Sequence, residues 1–301
     1  MPLLIPSLIR LKFGQYVRSD GPESHQKKAG TPTMGGIMII FSILASALVF
    51  MRDNPTAMAI SLTTAAFGVV GFLDDYAKIN KKQNMGLRAY QKLIGQLVVA
   101  IIFLLVWRTM PGYSTEILIP FFPDVTLDLG IFFLPFACLV FLSATNGANL
   151  TDGLDGLASG VTAIIAVFFM VAAWVLDSPA MPASGAVVGA LLAFLVFNSH
   201  PARVMMGDTG SLALGGFVAA VSLSMQMPLF LFIVAIIYVI ESLSVIIQVG
   251  YFKMTRKRFF KMAPIHHTFE LSGWQETRIV AFFCIITALA AFLGIIALQR
   301  F

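Results

Sequence analysis

The 301-residue chain is 58% hydrophobic and only 12% charged, and its mean hydropathy is +0.88. A soluble globular protein has about a quarter of its residues charged, so this composition excludes that class and indicates a polytopic membrane protein. Because the sequence has no internal repeat and no low-complexity tract, we expect one transmembrane domain over residues 1–301.

Apolar segments of membrane-spanning length run through the whole chain and predict an all-α bundle. A helix needs about 20 mostly apolar residues to cross a bilayer. The segments that meet this requirement are 34–52, 57–75, 92–109, 130–146, 155–176, 183–198, 210–226, 229–251 and 279–298. The opening segment MPLLIPSLIR is too short to cross, and we expect it to be the tail of a truncated first span, which brings the pattern to ten.

Basic residues are distributed unevenly between the two ends of these predicted spans. Of the 20 Lys and Arg residues, all lie on one side except Arg52, Arg108 and Arg300. Because Lys and Arg accumulate in cytoplasmic loops, we place the basic side in the cytoplasm. The net charge of +5 then reflects topology and contact with anionic lipid, and we expect no nucleic-acid partner.

One connection on the opposite side, YSTEILIPFFPDVTLDLG (113–130), alternates apolar and polar residues in two short runs. Alternation on both sides of a Pro-Asp pair predicts a small β-hairpin outside the membrane, in the periplasm. The segment carries no evident chemistry, so functional residues are expected on the cytoplasmic side.

Four polar stretches meet on the cytoplasmic side once the spans are counted. They are DD at 74–75, NGANLTDGLDG at 146–156, NSHPARVMMGDTGS at 198–211 and MAPIHHTFELSGW at 262–274. The topology therefore predicts that their acids, amides and imidazoles share one face of the bundle.

Asp74 and Asp75 stand at the end of a predicted span, where a helix carries partial negative charge. A carboxylate there costs up to about 1 kcal/mol, and the two also repel each other, so a cation should offset them. Lys78 is one candidate, and a divalent metal that bridges the carboxylates to a phosphate is the other.

Asp152 and Asp155 would share one face of a helix that begins near residue 151. Asn149, Thr151 or Asp152 could cap that helix, or these polar groups could accept hydrogen bonds from a nucleoside. Asp208 could likewise be only an N-cap. We favour Asp208 as a metal ligand, because a carboxylate suits magnesium and the backbone N–H groups after it could face a phosphate.

His266 and His267 are adjacent, which is not the spacing of an HExxH zinc site. Near a diphosphate they could donate hydrogen bonds or act as an acid. Alternatively, they are interfacial histidines beside Phe269 and Trp274. Glu241 lies near the middle of a predicted span, where an acid is either functional or a structural helix-bonding group.

Five stretches together resemble one family. They are DGPESHQKKAGTPTMGG (20–36), GFLDDY (71–76), NLTDGLDGLA (149–158), MGDTGSLALGG (206–216) and PIHHTFELSGW (264–274). In this order they look like the bacterial phospho-N-acetylmuramoyl-pentapeptide transferases, within the polyprenyl-phosphate N-acetylhexosamine-1-phosphate transferases of glycosyltransferase family 4. The first and last stretches are the specific ones, because related transferases differ there.

The resemblance implies a ten-helix enzyme of the bacterial cell (inner or plasma) membrane with a cytoplasmic active site. Such an enzyme transfers phospho-N-acetylmuramoyl-pentapeptide from UDP-MurNAc-pentapeptide to undecaprenyl phosphate, giving lipid I and UMP in the first membrane step of peptidoglycan biosynthesis. Magnesium would be the cofactor, and a homodimer is compatible with such a bundle.

The resemblance also implies roles for residues at matching positions. Asp208 would be the metal ligand, and the catalytic residues would be Asp208, Asp74, Asp75, His266 and His267. Asp74 and Asp75 would act at the lipid phosphate, either by deprotonating it for direct attack or by forming a covalent phospho-enzyme. The substrate-binding residues would be Lys28, Thr33, Lys78, Lys92, Asn149, Asp152, Asp155 and Met205.

Two positions depart from the family pattern. The family usually has a third histidine where this chain has Thr268, although His266 and His267 are present. It also has a phenylalanine that can stack on uracil where this chain has Met205. Met205 keeps apolar contact with a base but lacks the aromatic face.

Two alternatives to this function remain from the sequence. A related transferase acting on another UDP-N-acetylhexosamine would share the acids but not the PIHHTFELSGW and DGPESH stretches. An ion-coupled transporter would place its acids near the membrane midplane, often within an inverted repeat, whereas here only Glu241 is central.

Overall fold

A computed structural model describes residues 30–81 and 86–298 of the chain. The helices of these ranges are α1 (Gly36–Phe50), α2 (Pro55–Lys81), α3 (Ala89–Trp107), α4 (Phe133–Thr151), α5 (Leu157–Val175), α6 (Met181–Asn198), α7 (Gly207–Ser224), α8 (Leu231–Val234), α9 (Ile236–Thr255), α10 (Ile265–Glu270) and α11 (Glu276–Leu298). Two strands, β1 (Glu116–Ile119) and β2 (Phe122–Asp128), lie between α3 and α4. Single 3-10 turns at Gly130–Phe132 and Pro228–Phe230 lead into α4 and α8. The opening segment, expected to be the tail of a further span, lies outside the described residues.

Among the described helices, seven are long and apolar enough to cross a membrane by length and composition. They are α2 to α6, α9 and α11. Two other helices, α1 and α7, coincide with expected spans but are not among these seven. Helix α1 has only 15 residues, and α7 begins with the polar sequence GDTGS. The fold is therefore a mostly helical, multi-pass membrane protein with a small two-stranded sheet.

Large apolar side chains cover the outside of the bundle. Ile131 is 87% exposed, Phe50 77% and Val196 73%, and similar residues follow one another along α3 and α11. A protein in water rarely exposes contiguous apolar patches beyond a few hundred Å². This outer surface is therefore suited to contact with lipid.

The predicted hairpin between α3 and α4 is confirmed. β1 and β2 pair antiparallel, with Glu116 opposite Asp128. The Leu118 N–H donates to the carbonyl of Gln226 at the end of α7, and the Phe121 N–H donates to the carbonyl of Ala297 in α11. The hairpin thus joins the ends of two helices at the face opposite the acidic loops.

Helix α7 is the centre of the bundle. Its residues from Thr209 to Leu223 are all buried, and many of them are Gly, Ala or Ser. Small residues allow membrane helices to approach closely. A Cβ on Gly71 of α2 would overlap the carbonyl oxygen of Asp208, and one on Gly36 of α1 would overlap the Gly210 backbone. These approaches bring the acids of α2 against the start of α7.

The expected helix start near residue 151 is wrong. Helix α4 continues to Thr151, and α5 begins at Leu157 after Gly156, whose φ of 79° is left-handed. The N-cap interpretation of residues 149–152 therefore fails, because they end one helix rather than start another. The apolar run stops at Asn146, yet the helix continues past this residue, whose side-chain Nδ2 donates to the Leu142 carbonyl at 2.8 Å.

Two further boundary expectations are wrong. Asp208 is not an N-cap, because α7 begins at Gly207 and Met206 occupies the cap position. Asp74 and Asp75 are not at a helix end either, because α2 continues to Lys81. Both differences place the carboxylates on regular helical turns, which fixes their directions better than a loop would.

Candidate active site

Three carboxylates form the centre of the candidate site. Asp74 and Asp75 come from α2 and Asp208 from the first turn of α7, and one oxygen of each lies within 4.8 Å of the others. Asp74 and Asp75 are 3% and 4% exposed. Buried carboxylates this close together require cations or strong hydrogen-bond donors.

Asp75 is held by the N-terminus of α7. Its Oδ2 accepts hydrogen bonds from the Thr209 N–H at 2.9 Å and the Thr209 hydroxyl at 2.7 Å, and its Oδ1 accepts one from the Asp208 N–H at 3.2 Å. The first N–H groups of a helix lack partners within the helix and carry partial positive charge. Asp75 of α2 accepts hydrogen bonds from two of these N–H groups and thereby fixes α2 against α7.

Lys78 lies among all three carboxylates. Its Nζ is 2.6 Å from Asp74 Oδ2, 3.6 Å from Asp75 Oδ1 and 3.1 Å from Asp208 Oδ1. The Lys78 side chain is 29% exposed. Lys78, one of the two cations that the sequence offered, is therefore beside the acid pair, and its partial exposure leaves it within reach of a bound anion.

A second lysine and an amide complete the shell of Asp208. Lys92 of α3 places Nζ 2.6 Å from Asp208 Oδ2 and 3.1 Å from Asn149 Oδ1. The Asn149 amide donates to Asp208 Oδ1 at 3.1 Å and to the Ser211 hydroxyl at 2.8 Å. Ser211 was not identified from sequence, although its spacing of three residues from Asp208 on one helix could have indicated it.

The segment before α1 reaches the same site. A Cβ on Gly207 would lie 2.7 Å from Asp75 Oδ2 and 2.9 Å from Thr33 Oγ1, so the Thr33 hydroxyl borders the acid cluster. Met205 pairs its backbone with residues 32 and 35 at 2.8 and 2.9 Å, and its side chain is only 6% exposed. Met205 is thus largely covered in the form described here. Lys28, the remaining lysine assigned from sequence, lies outside the described residues.

Asp152 and Asp155 lie on the turn between α4 and α5 and have different surroundings. Asp152 is half-buried. Burial, together with the negative charges of Asp208 and Asp75, raises the pKa of Asp152 above its ordinary range. Asp152 therefore lies close enough to the acid cluster to respond to its charge.

Asp155 instead belongs to a second cluster, which the sequence did not predict. Its Oδ2 accepts the Ala202 N–H at 3.0 Å and lies 3.2 Å from His200 Nδ1. Glu276 at the start of α11 lies 3.4 Å from His200 Nδ1 and accepts the Asp155 N–H at 2.6 Å. No sequence spacing links these residues, because they come from three connections far apart in the chain.

The two adjacent histidines are in different environments. His266 is 1% exposed, and its Nδ1 lies 3.0 Å from Oε1 of the buried Glu241. His267 Nδ1 lies 2.8 Å from Glu270 Oε2. The Thr268 hydroxyl, at the position of the family's third histidine, hydrogen-bonds to the backbone of residue 262. In this chain Thr268 therefore closes a turn.

The structure thus brings together most of the sequence-derived site. Asp74, Asp75, Asp208, Lys78, Lys92, Asn149 and Thr33 are in or beside one cluster. The three carboxylates offer hard oxygen donors of the kind that Mg²⁺ or another divalent cation prefers. The donor set therefore fits a hard metal ion, with Lys78 as a neighbouring positive charge.

Comparison with sequence models of known protein families identifies the class of transferase to which this chain belongs. The sequence model of glycosyl transferase family 4 matches residues 57–226, which is more than half of the chain and includes all three carboxylates. A signature of phospho-N-acetylmuramoyl-pentapeptide-transferases matches residues 28–40. The chain therefore belongs to glycosyl transferase family 4.

Three individual relatives show which family of transferases within this class the chain belongs to. The chain is 51% identical to the phospho-N-acetylmuramoyl-pentapeptide-transferase of Halalkalibacterium halodurans, over 98% of this chain and 91% of the relative. It is 48% identical to that of Clostridium kluyveri, over 99% and 94%. It is 49% identical to that of Acetivibrio thermocellus, over 99% and 91%. The chain belongs to the phospho-N-acetylmuramoyl-pentapeptide-transferase family.

Proposed function

We propose that this chain transfers phospho-N-acetylmuramoyl-pentapeptide from UDP-MurNAc-pentapeptide to undecaprenyl phosphate, giving lipid I and UMP. The names of the relatives supply the transferred group. The observation that carries the proposal is the contact of three carboxylates with the ammonium groups of Lys78 and Lys92. Such a site suits phosphate groups, through the lysines, and a divalent cation, through the acids.

The proposed reaction exchanges one phosphorus–oxygen bond for another. A phosphate oxygen of the lipid forms a bond to the sugar-linked phosphorus of the donor, and the bond from that phosphorus to the UMP phosphate breaks. UMP leaves with the electron pair. Phosphoryl transfer depends chiefly on positioning and charge neutralisation, and Lys78 and Lys92 would provide both for the diphosphate.

We assign Asp208 as the main ligand of a magnesium ion, with Asp74 beside it. Asp208 is the carboxylate that both lysines and Asn149 contact. When bound, Mg²⁺ would neutralise charge on the diphosphate and orient it. This assignment rests on the oxygen donor set, which suits a hard cation.

Asp74 and Asp75 would have different roles at the lipid phosphate. Both oxygens of Asp75 accept hydrogen bonds from α7, so Asp75 chiefly positions Asp208. Asp74 contacts Lys78 and accepts the Leu87 N–H at 2.9 Å.

The turn between α4 and α5 is the proposed nucleoside site. Asp152 would accept hydrogen bonds from the base or ribose, and Asn149 would contact the nucleotide from the end of α4. Asp155 would shape the turn, because its carboxylate holds the backbone of Ala202. Thr33, Met205 and Lys28 would border the nucleotide from the segment before α1, and His267 would contact the diphosphate.

An apolar groove supports a long prenyl substrate. It lies between α4, α8 and α9, has a volume of about 250 Å³, and is lined by side chains such as Phe136, Leu139, Phe232 and Leu243. Apolar side chains dominate its walls. A polyprenyl tail would bury its methyl groups there while its phosphate lies at the membrane surface.

We further propose that α1 and α7 cross the membrane together with the seven longer helices, which would give the nine complete spans expected from the sequence. The acidic site would face the cytoplasm of a bacterial inner membrane, where UDP-linked donors are made. A second copy could pack against the apolar outer surface to give a homodimer. The uneven placement of Lys and Arg supports the orientation.

The decisive assay is UMP release by the purified protein. We expect release only when UDP-MurNAc-pentapeptide, undecaprenyl phosphate and Mg²⁺ are all present. Release with UDP-GlcNAc in place of the pentapeptide donor would favour the related transferase. Absence of release with either donor would contradict the proposed function.

Replacing Asp208 by alanine tests the metal assignment. Asp208→Ala should lower UMP release by at least about 100-fold, because charge stabilisation in a desolvated site is worth several kcal/mol. Asp128→Ala in the exposed hairpin is the matched control and should keep wild-type turnover. Magnesium-dependent turnover that survives in Asp208→Ala would show that the ligand lies elsewhere.

A further inference from the structure

The second turn of α9 contains a buried acid that contacts another helix. Glu241 is 0% exposed. Its Oε2 accepts the N–H of Ile265, the first residue of α10, at 2.9 Å, and its Oε1 lies 3.0 Å from His266 Nδ1. A buried carboxylate with two donors is a strong positional restraint, because losing either partner leaves a buried polar group unsatisfied.

Glu241 also determines which nitrogen of His266 carries a proton. With Oε1 as acceptor, Nδ1 is the donor, so Nε2 of the neutral ring is left as an acceptor. Within the described part of the chain, Nε2 is buried and has no hydrogen-bond partner. The ring is therefore held firmly from one side only.

The unpartnered side of the ring faces the turn between α4 and α5. A Cβ built on Gly153 would overlap His266 Nε2 and Cε1. The ring therefore lies directly against the Gly153 backbone, and only a residue without a side chain fits there. Gly153 is the immediate neighbour of Asp152, so the ring supports the turn that carries Asp152.

We infer that Glu241 and His266 are positioning residues that hold the Asp152–Gly153 turn in place for the nucleotide. Glu241 holds the imidazole, the imidazole supports Gly153, and Gly153 sets the position of Asp152. This inference rests on the proposed function, in which that turn binds the UDP portion of the donor. It replaces the acid role expected for His266, because Gly153 covers Nε2 and separates it from a diphosphate.

The first test is Glu241→Gln. Glutamine has the same shape but only one acceptor oxygen, so when it accepts from Ile265 its amide can only donate to His266 Nδ1, which moves the ring proton to Nε2, the side that faces Gly153. We expect the KM for the UDP-linked donor to rise on the order of 10-fold to 100-fold, as for other residues that orient a binding group. The KM for undecaprenyl phosphate, the magnesium requirement and the shape of the pH profile of kcat should not change.

The second test is a double-mutant cycle between Gly153 and His266. Gly153→Ala should raise the donor KM because its methyl group meets the imidazole ring. In a His266→Ala background the ring is gone, so adding Gly153→Ala should have little further effect. Gly250→Ala is the matched control, because a Cβ there has no atom within 4 Å. Thr255→Ala, at the exposed end of the same helix as Glu241, is the polar control.

UDP binding without lipid separates this inference from the proposed function. Calorimetric titration with UDP should show weaker binding in Glu241→Gln and Gly153→Ala than in wild type and both controls. Unchanged UDP affinity in those variants would overturn the positioning role, whether or not the wild type releases UMP. An equal effect of Gly153→Ala with and without the ring, or the loss of a limb of the pH profile in His266→Ala, would also overturn it.

Discussion

Lys78 is the residue on which the charge balance of the site depends. Its ammonium group lies between Asp74, Asp75 and Asp208. At these separations and an effective dielectric constant of about 20, the Coulomb attraction of each pair is roughly 5–6 kcal/mol before the cost of desolvation. Lys78 therefore keeps the buried Asp74 and Asp75 and the partly buried Asp208 together before any other cation binds.

Replacing Lys78 by methionine should make the protein depend more strongly on a divalent cation. The carboxylates lose their internal counter-ion, so we expect a lower unfolding midpoint without Mg²⁺ and half-maximal stabilisation at a roughly 10-fold lower Mg²⁺ concentration. Thermal unfolding across a magnesium titration measures this. Lys253→Met, at an exposed position of α9, is the control, and an unchanged titration curve in Lys78→Met would contradict the expectation.

Residue types in the site were predictable from sequence, but their partners were only partly so. The excess charge of Asp74 and Asp75 required a cation, and Lys78, one of the two candidates, contacts both carboxylates. Lys92 was assigned only through family resemblance. The pairing of Glu241 with His266 was not predictable, because a hydrogen bond between residues far apart in the chain produces no recognisable spacing in the sequence.

At the scale of elements, the site depends on the contact between α2 and α7. Gly71 has no side chain where the Asp208 carbonyl passes, and this contact lets Asp75 reach the first N–H groups of α7. A larger residue would have to push the two helices apart. The acid cluster would then open, since its members come from both helices.

Gly71→Ala should therefore reduce both stability and turnover. Overpacking a well-packed interior costs about 1–3 kcal/mol, and moving Asp208 by a fraction of an ångström should lower turnover on the order of 10-fold to 100-fold. Thermal unfolding and UMP release measure the two effects. Gly189→Ala in α6, where a Cβ has no atom within 4 Å, should behave as wild type, and equal behaviour of both variants would disprove the close contact.

Helix positions followed from hydropathy, whereas several helix ends did not. A hydropathy window measures the cost of leaving water and does not register internal hydrogen bonds. Asn146 looked like the end of a span, yet it bonds to Gln96 Oε1 at 2.9 Å and continues the helix. The last turn of α4 was therefore missed, although it carries Asn149 into the site.

At the scale of the whole molecule, charge and exposure give complementary information. The apolar outer surface indicates contact with lipid, while the basic loops indicate which end faces the cytoplasm. The acid cluster and the hairpin lie at opposite ends of α7, because the hairpin bonds to Gln226 after its last turn. The two ends of α7 should therefore be accessible from opposite sides of the membrane.

Cysteine labelling tests this orientation. In a background with Cys138 and Cys284 replaced by alanine, Thr126→Cys in the hairpin should react with an impermeant maleimide in intact spheroplasts. Gln275→Cys, before α11, should react only after the membrane is opened. Labelling of Gln275→Cys in intact spheroplasts, with protection of Thr126→Cys, would reverse the topology.

The burial of α7 also affects how this protein can change over generations. Nearly every position along that helix touches a neighbouring backbone or side chain, so sequence drift there is confined to residues of almost the same volume. The lipid-facing sides of α3 and α11 carry no such restriction, because one large apolar residue can replace another at little cost. We therefore expect tolerated substitutions to accumulate on the lipid-facing surface, whereas the sequence of α7 should change little.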